Sequence, residues 1–240
     1  MSAIELRIIR GTEPAVPPAD INIVIDVIRA FTVSHVAFTR GARAIFLVNT
    51  VAAAFALKAL NPEYLLAGEI GGLPIADFDL DNSPFRVSMA DVRHKTLVQK
   101  TTHGVAATLA ALNAAQIFVT GFSNARQTAQ HARHLLESRG YRTINVIASH
   151  ALDDDDFSCA EYIRDQILEL GQIKPEAIMA RIRNSRSAKK FQVPEKNAFE
   201  PRDLDLCARE MESDFVMEVD KSLPIPRIIK QHLRTGVMSN

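Results

Sequence analysis

The sequence predicts an α/β fold, a mainly parallel sheet with helices on both faces, and three observations carry that prediction. Short, continuously apolar, β-branched runs recur through the first two thirds of the chain, Ala- and Leu-rich helical segments separate them, and polar residues gather just after the runs rather than inside them. Continuous rather than alternating apolar strands are what a sheet needs when helices cover both of its faces.

The apolar runs are residues 23–25, 44–48, 64–67, 96–99, 117–120 and 144–147, with 4–9 as a further strand at an edge. Helical patterns fill residues 51–60, 105–112 and 125–136. Beyond Asp153 the pattern turns helical, over 157–170, 175–183 and 202–211, before a last strand at 215–219. The stretch 184–198 is basic and polar, contains Pro194, and reads as a mobile surface loop. No repeat, low-complexity tract or Gly/Ser linker breaks the 240 residues, so one domain over 1–240 with a helical C-terminal part is expected.

Composition narrows the function. Lys+Arg and Asp+Glu are equal at 28 each, Trp is absent and there are three Tyr. A chain with no basic excess lacks the counterion-release term behind non-specific nucleic-acid binding, and few aromatic rings leave no stacking platform. No window approaches the roughly 20 apolar residues of a membrane span. The opening residues MSAIELRIIRGTE carry Glu5 within their apolar stretch and lack the basic-then-hydrophobic order of a secretory signal. Cys159 and Cys207 have no zinc-ligand spacing and cannot form a disulfide framework, so they read as reduced cysteines. A cytoplasmic protein with no nucleic-acid or membrane partner is expected, its oligomeric state open, a homo-oligomer included.

Ligands of open parallel sheets bind beyond the carboxyl ends of the strands. Five successive strand ends here deliver polar groups: Asp26 and Arg29, then Gly68-Glu69 with the loop to Asn82-Ser83-Pro84, then Thr101 to Gly104, then Ser123-Asn124, then Ser149-His150 followed by Asp153 to Asp156. Asn82-Ser83-Pro84 and Thr101-Thr102-His103-Gly104 each lead into a helix, whose unpaired N–H groups suit a phosphate. The alternative is that Ser83 and Thr102 only cap their helices. Asp26, Glu69, Asp79, Asp81, Asp155 and Asp156 are hard oxygen donors suited to Mg²⁺. Asp153 and Asp154 have an ordinary explanation as acidic residues complementing a helix start. Asp26 closes an apolar strand, where a carboxylate is costly unless paired or metal-bound. Arg29 could pair with Asp26 or hold an oxyanion, and His103 is either a proton donor titrating near neutrality or merely a helix-start residue.

The segments IVIDVIRAFTV, LLAGEIGG, FDLDNSP, TTHG, Asn124-Ala125 and DDFSCA stand in the order and at about the spacing seen in 2-phosphosulfolactate phosphatases, and the chain resembles that family over nearly its whole length. The family's patterns read D-V-L-R-A-T, G-E-R-G-G, F-D-L-G-N-S-P, T-T-N-G-T, N-A and E-D-x-x-C-A-G. The resemblance implies an α/β fold and a Mg²⁺-dependent phosphoric monoester hydrolase acting on a small anionic, phosphorylated substrate. It implies Asp26, Arg29 and Glu69 as catalytic residues, with His103 standing at the family's asparagine. Arg29, Asn82, Ser83, Thr101, Thr102, Gly104 and Asn124 are the candidate phosphate cradle, and Asp26, Glu69 or the Asp155-Asp156 pair the candidate metal ligands. Ile70, Asp81, His103, Val105 and Glu161 replace the family's arginine, glycine, asparagine, threonine and glycine. An altered, less acidic substrate is therefore expected. The alternatives are a catalytically silent anion-binding protein, or a different reaction on a related ester or phosphonate.

Overall fold

The structure, a computed structural model, describes residues 4–12, 15–192 and 199–233. In chain order the elements are β1 (Glu5–Arg10), β2 (Ala19–Ile25), α1 (Ala30–Thr39), β3 (Ala44–Leu47), α2 (Val51–Leu60), β4 (Leu65–Ile70), β5 (Leu73–Pro74) and β6 (Leu80–Asp81). There follow α3 (Pro84–Met89), β7 (Thr96–Lys100), α4 (Gly104–Ala110), β8 (Ala114–Thr120), α5 (Ala125–Arg139), β9 (Thr143–Ala148) and α6 (Asp154–Ile167). The chain closes with α7 (Pro175–Asn184), α8 (Arg186–Lys189), α9 (Asp203–Cys207), β10 (Phe215–Asp220) and β11 (Arg227–His232).

Two parallel blocks make the sheet, β1-β9-β2-β8 and β3-β7-β4, the second extended by the short β5 and β6 beside β4. Three antiparallel pairings join them through the hairpin: β8–β10, β10–β11 and β11–β3. Three reversals leave the blocks running in opposite senses along the pairing path. Even so, residues following β2 and β9 in one block and β4 and β7 in the other line a single cleft. The sheet therefore coils, as accumulated strand twist allows, until both carboxyl edges meet.

Helix α1 lies inside that coil, buried from Ala30 to Phe38. Gln99 of β7 ties it down: its Nε2 donates to the Ala30 carbonyl at 3.0 Å and its Oε1 accepts from Ser34 Oγ at 3.0 Å. Consecutive residues of β2 face opposite layers, as strand geometry requires. Val24 joins Phe31, Phe38, Leu97 and Met217 on the α1 side, while Ile23 and Ile25 join Phe118, Leu136, Tyr162 and Ile163 under α5 and α6. Each fully buried side chain of this kind contributes about 1.5–3 kcal/mol over its exposed state. The strand that ends at Asp26 is thus held by both cores.

The expected fold class is found: a mainly parallel sheet with helices on both faces. The C-terminal part differs from the helical expectation. Residues 227–232, which carry no strand signal beyond Ile228-Ile229, form β11 in the middle of the sheet, and the expected helix over 202–211 shortens to α9. The expected loop over 184–198 is structured through residue 192, and 193–198 lie outside the described residues. The reason is a tether remote in sequence. The Asp153 carboxylate accepts from Arg186 N at 3.0 Å, Ser187 N at 2.8 Å and Ser187 Oγ at 2.6 Å, while Ala188 and Phe191 are buried. No helix among the described residues is long and apolar enough to cross a membrane.

Candidate active site

Asp26 is the first polar residue after β2 and is almost fully buried. Its Oδ1 accepts from Ala30 N at 2.9 Å, so the carboxylate caps the start of α1. Glycine is required opposite: a Cβ on Gly104 would meet Asp26 Oδ2 at 2.6 Å. Burial pushes the Asp26 carboxyl up to about 6, with the Glu69 charge adding to the rise, against hydrogen bonds from the Ala30 and Gly104 backbone and the charge of Arg29.

Glu69, near the end of β4, organises two loops. Its Oε1 accepts from Thr102 N at 2.5 Å, and its Oε2 accepts from Gly72 N at 2.5 Å and Thr102 Oγ1 at 3.0 Å. Thr102 Oγ1 in turn accepts from Gly71 N at 2.8 Å. The β4–β5 turn and the β7–α4 loop are thereby locked together across one carboxylate.

Asp155 and Asp156 belong to the first turn of α6 and are both buried. Asp156 Oδ1 accepts from Val27 N at 2.8 Å, and its Oδ2 accepts from Ser149 Oγ at 2.9 Å and His150 N at 3.1 Å. Burial, then the nearby Asp26 charge, lifts the Asp156 carboxyl to about 8. Asp155 is also pushed well up, by burial and by the charges of Asp156, Asp153 and Asp26, and its Oδ1 has no hydrogen-bond partner among the described residues. Asp26, Glu69, Asp155 and Asp156 all line one cleft of about 100 Å³, room for several water-sized groups.

Arg29 lines the same cleft but does not pair with Asp26. Its Nη1 donates to Asp203 Oδ2 at 3.0 Å and its Nη2 to the Gly72 carbonyl at 3.0 Å, with Phe191 and Phe199 each 5.3 Å from the guanidinium carbon. Asp203, fully buried in α9, is a residue the sequence reading missed. Its Oδ1 also accepts from Ser83 Oγ at 2.6 Å and Phe85 N at 3.0 Å. The start of α3 is therefore already occupied by a carboxylate from 120 residues away. The start of α4 is likewise engaged, because Thr101 Oγ1 accepts from Val105 N at 3.0 Å. Ser83 and Thr101 act as helix caps, and neither they nor Gly104 line the cleft.

Asn124 also stands apart. It is fully buried, its Oδ1 accepting from Thr120 Oγ1 at 3.0 Å and its Nδ2 donating to Thr128 Oγ1 at 3.3 Å. It stitches β8 to α5. Asn82 and Thr102 do line the cleft, and Asn82 Oδ1 is buried without a partner among the described residues. His103 lines it too, its ring centroid 4.5 Å from that of His150. Burial lowers both imidazoles; Glu69 raises His103, Asp153 and Asp26 raise His150, and Lys190 lowers each. His150 was named from sequence only as a strand-end polar group with no role, and Lys190 was not singled out. His150 stood in plain view beside Ser149, but Lys190 sits in the stretch read as a loop.

Of the five departures from the family pattern, only His103 lines the cleft. Ile70 is 51% exposed, Asp81 is ion-paired to Arg86, and Glu161 pairs with Arg181.

The family model for 2-phosphosulpholactate phosphatase matches residues 10–222. The chain is 47% identical over 223 residues to the probable 2-phosphosulfolactate phosphatase of Bacillus subtilis, spanning 93% of this chain and 97% of that protein. It is 35% identical over 150 residues to the protein of the same name from Caldicellulosiruptor saccharolyticus, 61% of this chain and 62% of that one. With the protein of the same name from Thermus thermophilus it shares 33% over 175 residues, 72% and 71% of the two chains. With the family model covering most of the chain and one relative matched nearly end to end, this protein belongs to the 2-phosphosulpholactate phosphatase family.

Proposed function

We propose that this protein is a magnesium-dependent hydrolase of a small phosphate monoester. One observation carries the reading: four carboxylates from three separate segments face one small cleft, three of them pushed up by burial and mutual repulsion, and Asp155 Oδ1 is left without a partner among the described residues. A wall of that kind repels a phosphate dianion unless a cation stands between them. The donors fit such an ion. No group of three or more His, Cys, Asp or Glu among the described residues forms a ready-made ligand shell. Mg²⁺ does not need one, since it commonly takes one or two carboxylates and completes its shell with water and substrate phosphate. One or two of Asp26, Glu69, Asp155 and Asp156 would hold it, and when bound it supplies charge neutralisation at the phosphoryl oxygens.

The chain's own groups divide the remaining work. Hydrolysis breaks the bond between phosphorus and the ester oxygen and forms one between phosphorus and water oxygen; a proton leaves the water and another reaches the departing alkoxide. Asp26, with its carboxyl near 6, is ionised at neutral pH and basic enough to take the water proton. Glu69 holds the Gly71-Gly72 turn and Thr102 in place. His103 faces the cleft as donor to the leaving oxygen; burial holds its imidazole below the usual value, and Glu69 and the charge of a bound phosphate act against that lowering. The expected change of substrate relative to the family now rests on His103, since Ile70 faces solvent and Asp81 is neutralised by Arg86.

A panel of phosphate monoesters, 2-phosphosulfolactate included, assayed for phosphate release with Mg²⁺ and with a chelator, tests the reading. Release that requires Mg²⁺ is the expected result. Binding without release favours the silent anion-binding alternative, and release unaffected by the chelator removes the metal from the scheme.

A further inference from the structure

We propose that Lys190 is the specificity-determining cation of this site, binding a second anionic group of the substrate, on the carbon skeleton beyond the phosphate. The inference rests on the phosphatase reading above and adds the residue that would read the substrate's second charge.

The first argument is an accounting of charge in the cleft. Arg29 and Lys190 are the cations that line it among the described residues. The guanidinium of Arg29 is spent on Asp203 and the Gly72 carbonyl, buried against two aromatic rings. Lys190 has no ion-pair or hydrogen-bond partner among the described residues, and it is exposed. A lysine on the rim, with three donors and a flexible stem, is the group left to meet an incoming anion.

The second argument is position. Lys190 opens the 3-10 turn of residues 190–192, directly after α8, and that segment is pinned over the cleft by Asp153 and by buried Ala188 and Phe191. Its base is therefore fixed while its ammonium remains free. It lies near His103 and His150, on the side of the cleft where the leaving group is protonated. The carboxylates, through the ion they would hold, take the phosphoryl end. A substrate with phosphate at the carboxylates and a sulfonate or carboxylate at Lys190 spans both. Lys190 thus supplies the positive charge that the sequence pattern had at residue 70, where Ile70 now faces solvent.

The test compares wild type with Lys190→Met, Lys190→Arg and a neighbouring control, Lys189→Met, on two esters at fixed Mg²⁺. One is 2-phosphosulfolactate, with a second anionic group; the other is glycerol 2-phosphate, without one. Losing a charge-assisted contact should raise KM for 2-phosphosulfolactate about ten- to a hundredfold with little change in kcat. The loss for glycerol 2-phosphate should be several times smaller, Lys190→Arg should recover most of it, and the wild-type KM should rise with salt more steeply than that of Lys190→Met. Equal losses on both esters, or none, overturn the assignment. If wild type hydrolyses neither ester, the phosphatase reading falls on its own. Calorimetric titration with 2-phosphosulfolactate and with inorganic phosphate then decides this inference: weakening by Lys190→Met confined to the first supports it, and equal or absent weakening overturns it.

Discussion

Replacing Asp155 by Asn separates the carboxylate wall from the rest of the site. Asp155 is buried beside Asp26, Asp153 and Asp156, its Oδ1 has no partner among the described residues, and burial and those neighbouring carboxylates disfavour its ionised form, so in the metal-free protein it is an unsatisfied buried group. An unsatisfied buried polar group costs about 1–3 kcal/mol, and more when charged. The amide of Asp155→Asn cannot ionise and supplies an N–H to a neighbourhood of acceptors. For a chain of this length 1 kcal/mol moves the midpoint by about 2–4 °C, so the metal-free variant should melt about 2–12 °C above wild type at pH 8. Magnesium should reverse the ranking: at a hundredfold excess over Kd a ligand adds about 2.7 kcal/mol, or about 5–10 °C, to wild type and much less to the variant. The pH dependence has a defined sign. Asp26 is raised to about 6 and Asp156 to about 8, both from 3.8, so the folded state binds more protons than the unfolded state across that interval. Metal-free stability is thus fully present below about 4 and is lost as the pH rises through about 6 and then 8. Scanning fluorimetry at pH 6, 7, 8 and 9, with Mg²⁺ and with chelator, reads all three effects. A variant that melts below metal-free wild type, or that keeps the full magnesium shift, refutes the reasoning.

Three further outcomes follow from the same geometry. Asp203→Ala strands the buried Arg29 and frees Ser83 and Phe85, so urea denaturation should show a loss of about 3–5 kcal/mol; a loss under 1 kcal/mol in that measurement would mean Arg29 re-pairs within the cleft. Gly104→Ala drives a methyl into Asp26 Oδ2, and kcat/KM should fall at least about tenfold while circular dichroism stays native. Asn124→Ala should cost about 1–3 kcal/mol in the same denaturation experiment, through the orphaned Thr120 and Thr128 hydroxyls, and leave kcat/KM within about twofold; a large kinetic effect would place Asn124 in the site after all.

Local and periodic features were legible in the sequence. The apolar runs became β2, β3, β4, β7, β8 and β9 because burial on both faces demands continuous hydrophobicity, and the edge run became β1, which pairs with β9 alone. Asp26, Glu69, Thr102, His103, Asp155 and Asp156 reached one cleft because each follows a strand, and strand ends converge wherever the sheet places them. Side-chain commitments were decided only in three dimensions. Ser83, Thr101 and Asn124 carry the same hydroxyls and amide whether they face a ligand or a helix start, and contacts with Asp203, Val105 and Thr120 settle which. Arg29 could have paired three residues away with Asp26, but the fold delivers Asp203 from 174 residues away at 3.0 Å. The hairpin β10–β11 reverses one parallel block against the other, and only the resulting coil lets their carboxyl edges share a cleft. Lys190 joins that cleft because Asp153 pins a stretch whose polar composition reads as a loop. Composition and periodicity record what a segment does with its own neighbours; long-range pairing of buried charges depends on distances that no local pattern encodes.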